Sequence, residues 1–324
     1  MRFVVVGAGA VGGVVGGRLA EHGHDVVLVA RGAHGAAIAA DGLLVRSPDR
    51  DVHVHPPVVG RAGDAGLTDD DVVLLAVKGQ DTPAALASLA DGPPHLAVAC
   101  LQNGVDNERQ ALRRTSQVYA VPVLLPAAHL VPGVVEVSSS PVAGVLDVGR
   151  YPAGADDRAA AISAAFAASG FSSVVNPTVM RFKWSKLLLN LANALEAACG
   201  PAAYDGPLFP AARAEGRAVL AAAGIDVASE EEDTARRGDL IRMRRIDGKR
   251  RDGGSSWQSL ARHTGSIEAD QLNGEIVLLG RLHGVPTPVN ELLQRTAKDL
   301  ARRGAEPGSM SPEELIAQLP PGTL

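Results

Sequence analysis

The feature that most constrains this chain is the run Gly7-Ala8-Gly9-Ala10-Val11-Gly12, set between two patterns of opposite kind. Before it, Arg2-Phe3-Val4-Val5-Val6 is apolar without polar alternation, as in a strand buried on both faces. After it, Gly13 to His22 has a helical pattern, and Asp25-Val26-Val27-Leu28-Val29 is a second buried strand. A strand, a glycine-rich turn, a helix and a parallel strand make a βαβ unit. The glycines of its first turn serve different ends. One permits the sharp turn, one lets a ligand approach the backbone, and one lets the helix lie against the strand.

A pyrophosphate fits where such a turn meets the free N–H groups and positive end of a helix. The chain is therefore expected to begin with a Rossmann-type, doubly wound α/β sheet that binds a dinucleotide through Gly7, Ala8, Gly9, Ala10, Val11 and Gly12. The second strand ends Val29-Ala30-Arg31-Gly32, without the carboxylate that an NAD site uses on the ribose 2′-hydroxyl. The fixed donor fork of Arg31 suits a 2′-phosphate, so NADP(H) is the expected cofactor. The bland alternative is a solvated arginine after a strand.

Further strands are expected at Asp71–Val77, ending at Lys78, and at Leu96–Leu101, ending at Gln102-Asn103-Gly104. Val118 to Leu125 and Val134–Val137 are expected to complete the sheet. Ligands of open α/β sheets bind beyond the carboxyl ends of the strands, where Lys78 and Asn103 both fall. A cap and a turn are their structural alternatives.

The strand pattern gives way at Asn176-Pro177, so the expected domains are 1–175, a nucleotide-binding sheet, and 176–324, an all-helical catalytic and substrate domain. In the expected helix Met180–Asn193, Lys186, Asn190 and Asn193 share a stripe among leucines. That stripe either lines a site or faces water. Ser255 or Ser256, after Gly253-Gly254, is expected to cap a helix, and Glu268 to open another after Gly265. Arg236 to Arg251 follows an acidic run and is expected to be a solvated face or mobile loop, with contact to an anionic substrate or cofactor, or docking on nucleic acid, as the alternatives, the last weakened by the overall acidity. Gly304 to Leu324 is expected to extend the last helix peripherally.

Composition narrows the partners. With 324 residues, 46% hydrophobic and 21% charged, the chain fits a soluble protein of two domains. A net charge of −5 and 3% aromatic residues argue against nucleic acid and anionic membranes as partners. Apolar runs stay short of the ~20 residues of a membrane span, and glycines break up the apolar start where a signal peptide would need continuity. Cys100 and Cys199 form no metal or disulfide pattern, which leaves a reduced, cytoplasmic setting as the expectation. A homodimer is one assembly the chain admits.

Taken together, the glycine turn, Ala76-Val77-Lys78, Gln102-Asn103-Gly104, Trp184-Ser185-Lys186-Leu187-Leu188-Leu189-Asn190, and Ser256 with Glu268 and Asn273-Gly274 resemble the ketopantoate reductase (2-dehydropantoate 2-reductase) family. The resemblance covers nearly the whole chain. It implies an NADPH-dependent oxidoreductase that reduces ketopantoate to pantoate in pantothenate biosynthesis, acting on a small 2-oxo acid. Lys186 would be the general acid and Glu268 a partner of the substrate hydroxyl. Asn103, Asn190, Asn193 and Ser256 would hold the substrate, and Lys78 and Asn103 would lie near the cofactor. Hydride transfer to a ketone leaves an alkoxide that needs a proton and a nearby positive charge. A lysine in an apolar cleft is a readier proton donor, because burial disfavours its charged form. Glu268 could orient the oxygen or stabilise the lysinium.

Two departures bear on the substrate. Family members often have asparagine-proline eight residues after the lysine, where this chain reads Asn193-Ala194-Leu195-Glu196. Pro122 to His129 also replaces a more polar stretch. Another branched 2-oxo acid therefore stays open, as does a non-catalytic NADP(H)-binding sensor. A β-hydroxyacid dehydrogenase shares the domain plan, but the late serine and glutamate argue against it.

Overall fold

The computed structural model describes the backbone of residues 1–324 and every side chain but that of Ala202. Contacts divide the chain into two units, Met1–Lys183 with Glu230–Arg251, and Trp184–Ser229 with Asp252–Leu324. The sequence pattern places a single boundary at 175/176. The observed division runs through a helix and returns a later segment to the first unit.

The first half of the chain contains β1 (Arg2–Val6), α1 (Ala10–Glu21), β2 (Val26–Val29), α2 (Gly32–Asp41), β3 (Leu43–Arg46), β4 (Val52–Val54) and β5 (Val58–Val59). Then come β6 (Asp71–Leu75), α3 (Thr82–Ala87), β7 (Ala97–Cys100), α4 (Asn107–Leu112), β8 (Val118–Ala120), β9 (Val123–Leu124) and β10 (Ala127–Ala128). They are followed by β11 (Val134–Val137), β12 (Ser139–Pro141), β13 (Val145–Leu146), β14 (Gly149–Arg150) and α5 (Asp157–Ala168). The second half has α6 (Val179–Asn190), α7 (Ala192–Cys199), α8 (Leu208–Ala222), α9 (Glu230–Arg237), β15 (Ile241–Met243), α10 (Ser255–Ala261), α11 (Asn273–His283), α12 (Pro288–Arg303) and α13 (Pro312–Ile316).

The main sheet of the first unit has the order β14-β8-β7-β6-β1-β2-β5, and only the edge strand β14 is antiparallel to its neighbour. β1 is buried on both faces, as its composition requires. Phe3 and Val5 enter the core on one side, Val4 and Val6 the core on the other. Order reverses between β1 and β6, which opens a crevice at their carboxyl ends. Val134–Val137 does not complete this sheet. As β11 it joins a second one, of order β10-β11-β3-β4.

That second sheet explains the glycines of α1. A methyl at Gly16 would lie 2.7 Å from Leu28, on the main sheet. One at Gly13 would lie 2.6 Å from Val135 and one at Gly17 2.5 Å from Val45, both on the second sheet. The helix is packed between two sheets at backbone distance, and a larger residue at any of these positions would force them apart.

Glu230–Arg251 is held in the first unit by defined partners. β15 pairs antiparallel with β12, and Arg236 clamps the buried Asp147 with two nitrogens, its Nε at 2.7 Å. Arg244 meets Asp49, and Arg46 meets Asp247. The run is mostly exposed, yet it is an anchored element, because acidic partners remote in sequence take up part of its charge.

In the second unit α7 packs against α10 and α12, and α11 against α8 and α12. Buried Asn290 donates to the Ala212 carbonyl and to Glu215, whose carboxylate accepts from the backbone N–H groups of Val289 and Asn290. Glu215 thus satisfies the start of α12, where the helix dipole favours a negative charge. The tail does not extend α12. Gly304, at φ +61°, ends that helix, and the N–H groups of Gly308 and Met310 donate to the Ala197 and Ala198 carbonyls of α7. No helix among the described residues is long and apolar enough to cross a membrane.

Candidate active site

Three strand ends meet at the crevice of the first unit. Gly7 has φ +99°, and a methyl there would lie 2.9 Å from the Val77 nitrogen, so the glycine turn after β1 touches the residue preceding Lys78. A methyl at Gly12 would lie 2.1 Å from the Gly7 carbonyl oxygen, which excludes any side chain. At Gly9 a methyl would meet nothing within 4 Å. Backbone is open there, at the N-cap of α1, whose first turn contains no acidic residue. This is the cradle that an anionic pyrophosphate requires, with N–H groups, a positive helix end and no side chain in the way.

Arg31 is the exposed N-cap residue of α2, at the end of β2. Lys78 and Asn103, both half-buried, follow β6 and β7, and buried Gln102 donates from Nε2 to the Val77 carbonyl at 3.0 Å. The two adjacent strand ends are therefore joined beside the glycine turn.

His34 is a residue that the sequence patterns pass over. Its Nδ1 accepts from the Gly133 N–H at 2.9 Å, so its Nε2 carries the proton and donates to the Ala8 carbonyl at 2.7 Å. It ties α2 to the glycine turn and lies against His129, the rings tilted by 43° with centres 4.0 Å apart. No local pattern marks it, since its hydrogen-bond partners are backbone groups 26 and 99 residues away.

In the second unit, Lys186 Nζ donates to Asn190 Oδ1 at 3.2 Å along α6, both residues half-buried. The expected single helix Met180–Asn193 is interrupted at Leu191, so Asn193 belongs to α7. Asn273, fully buried, donates to the Leu191 carbonyl at 3.1 Å and supplies a side-chain partner where the helix breaks.

Neither Ser255 nor Ser256 caps α10. Gly254 is the N-cap residue, without a side-chain cap bond. Its N–H instead donates to Glu196 Oε2 at 2.9 Å, and a methyl at Gly254 would lie 2.5 Å from that oxygen. Glu196 thus anchors the start of α10. Ser255 Oγ donates to Glu268 Oε2 at 2.9 Å, while the neighbouring Ser256 is buried. Glu268 is only 3% exposed and opens a single 3-10 turn, Glu268–Asp270, ahead of α11. The second unit therefore presents a lysine–asparagine pair on one helix and a hydroxyl–carboxylate pair at another.

Comparison with known proteins adds the following. Residues 3–151 match the family described as Ketopantoate reductase PanE/ApbA, and residues 178–301 match its C-terminal domain. The chain is 31% identical over 318 residues to a 2-dehydropantoate 2-reductase of Halobacterium salinarum, covering 95% of this chain and all of that one. Among solved structures it is similar to a PanE/ApbA family ketopantoate reductase from Ralstonia eutropha, with a TM-score of 0.77, 29% identity and coverage of 94% and 99%. D-mandelate dehydrogenase with NADH and anilino(oxo)acetate shares the fold, with a TM-score of 0.75, 20% identity and the same coverage.

Proposed function

The chain belongs to the ketopantoate reductase family, and from that premise we propose that it is an NADPH-dependent reductase of a 2-oxo acid, with ketopantoate as the first candidate. The observation that carries this reading is the crevice at β1, β6 and β7, with backbone open at Gly9 and Lys78 and Asn103 at the adjoining strand ends. Gly7 to Gly12 would hold the pyrophosphate, Arg31 the 2′-phosphate, and Lys78 and Asn103 the inner part of the cofactor. Bound there, NADPH supplies the hydride.

The protein's own residues would do the remaining work. Lys186 donates the proton to the substrate oxygen as charge develops on it, and Asn190 orients the lysine through the 3.2 Å hydrogen bond. Glu268, itself oriented by Ser255, accepts from the product hydroxyl. Asn103, Asn193 and Ser256 hold the substrate. Asn193 lies one position before the second asparagine that the family often has, and Leu195 stands where proline would follow it, which supports a second reading in which another branched 2-oxo acid is the substrate.

The assay is loss of NADPH absorbance with ketopantoate, with 2-oxoisovalerate and NADH run in parallel. Rapid oxidation with ketopantoate and slow oxidation with 2-oxoisovalerate is the expected result, and the reverse order selects the second reading. Tight NADPH binding without turnover of either acid would remove ketopantoate and leave a different 2-oxo acid or the sensor.

Arg31 is tested separately. An arginine–phosphate hydrogen bond contributes about 1.5–3 kcal/mol, so Arg31→Asp is expected to weaken NADPH by about 10- to 100-fold and to affect NADH little. Equal losses for the two cofactors in a binding titration would sink the 2′-phosphate role.

A further inference from the structure

Behind Lys78 and Asn103 lies a buried polar chain that takes no part in the reaction above. Gln102, Thr82 and Asn107 are 4%, 0% and 1% exposed. Gln102 Nε2 donates to the Val77 carbonyl at 3.0 Å and to Thr82 Oγ1 at 2.8 Å. Thr82 Oγ1 donates to Asn107 Oδ1 at 2.8 Å, and Asn107 Nδ2 donates to the Asn103 carbonyl at 2.9 Å.

The direction of every bond follows from the two ends. A backbone carbonyl can only accept, so both amides must turn their nitrogens outward, Gln102 toward Val77 and Asn107 toward Asn103. Asn107 then shows its oxygen to Thr82, which must donate to it and is left to accept from Gln102. One arrangement accounts for all four bonds, and only Gln102 Oε1 is left without a hydrogen-bond partner among the described residues. The polar chain begins on the residue before Lys78 and ends on Asn103 itself.

We propose that Gln102, Thr82 and Asn107 are positioning residues that fix the spacing of the Lys78 strand end and the Asn103 loop, and through it the fit of cofactor and substrate at the crevice. This rests on the reading of Lys78 and Asn103 as ligand-binding groups. The carbonyl of Val77 and that of Asn103 are tethered through one hydroxyl, so a change at Thr82 is transmitted to both loops. Hydrogen bonds in a buried chain polarise and reinforce one another, so the loss of one weakens its neighbours.

Thr82→Val keeps the shape and removes the hydroxyl, whereas Thr82→Ser keeps the hydroxyl and removes a methyl. If Thr82 served packing alone, valine would be the better replacement. The positioning role predicts the opposite order. Thr82→Val is expected to lower kcat/KM with ketopantoate by about 100-fold, the scale of an ångström-sized misplacement, and to raise the NADPH dissociation constant. Thr82→Ser should stay within a few-fold of the parent.

Asn107→Asp asks the same question at the other end, because a carboxylate cannot donate to the Asn103 carbonyl. Its expected loss matches that of Thr82→Val and keeps the test valid if the latter does not fold. Both constants are measured below the melting temperature of each variant. Parental values in Thr82→Val or Asn107→Asp, or a Thr82→Ser loss as large as that of valine, would overturn the positioning role alone. A parent that fails to bind NADPH would instead remove the cofactor reading on which it rests.

Discussion

Lys186→Ala is expected to lower kcat by about 100- to 10,000-fold, the span of a positioned general acid, while NADPH affinity stays nearly unchanged. The lysine is half-buried on α6 and bonds Asn190 one turn further along the helix. A developing alkoxide gains both charge compensation and a proton from such a group. Alanine removes the ammonium and leaves only water as proton source. The glycine turn and Arg31, read as the cofactor's binding groups, are untouched, so the loss should fall on turnover. Steady-state rates with ketopantoate beside an NADPH titration separate the two. Turnover that survives the substitution would show that Lys186 is not the acid, and a matching loss of NADPH affinity would make it a cofactor ligand.

How far this arrangement was legible depended on how far apart in sequence the partners lie. The βαβ unit could be read because strand, turn and helix follow one another, and the observed β1, α1 and β2 fall where the pattern put them. Lys78 and Asn103 could be placed because ends of parallel strands gather on one edge. The glycines beyond the turn could not be read. Gly13 and Gly17 respond to Val135 and Val45, residues of a second sheet that no local period announces. Val134–Val137 looks like any buried strand, and nothing in its composition says which sheet it joins.

The same limit applies to Glu230–Arg251. A run of like charges reads as solvated surface unless its carboxylate partners are known, and Asp49 and Asp147 lie far earlier in the chain. The pairing of Lys186 with Asn190 could be read from helical spacing, because the two lie one turn apart on α6. Ser255, one position from the serine favoured by resemblance, bonds Glu268 because of how α10 begins. That start is set by Glu196 on another helix.

Lys183→Met is expected to destabilise the protein by about 3–5 kcal/mol, the cost of leaving one partner of a buried ion pair alone. Lys183, on α6, is hydrogen-bonded to Glu108 of α4, and the side chains are 2% and 0% exposed. Burial pushes the Glu108 carboxyl up, and the ammonium of Lys183 opposes that. Its second oxygen, Oε2, has no hydrogen-bond partner among the described residues. Without the lysine, Glu108 has either to stay charged in an apolar setting or to take up a proton. The folded-state pKa of the carboxyl then rises further above its unfolded value. A carboxyl raised in this way is best tolerated at low pH, where it is protonated in both states, and its penalty grows as pH climbs through the folded-state value. The deficit of the variant against the parent should therefore be larger at pH about 8 than at about 5.5, the sign that linkage requires. Urea unfolding at both values measures it. Adding Glu108→Leu should recover most of the loss, because a packed apolar pair of similar volume is often no less stable than the ions it replaces. A double variant as weak as Lys183→Met alone would show that the lysine acts by filling space, and a deficit independent of pH would place the cost somewhere other than Glu108.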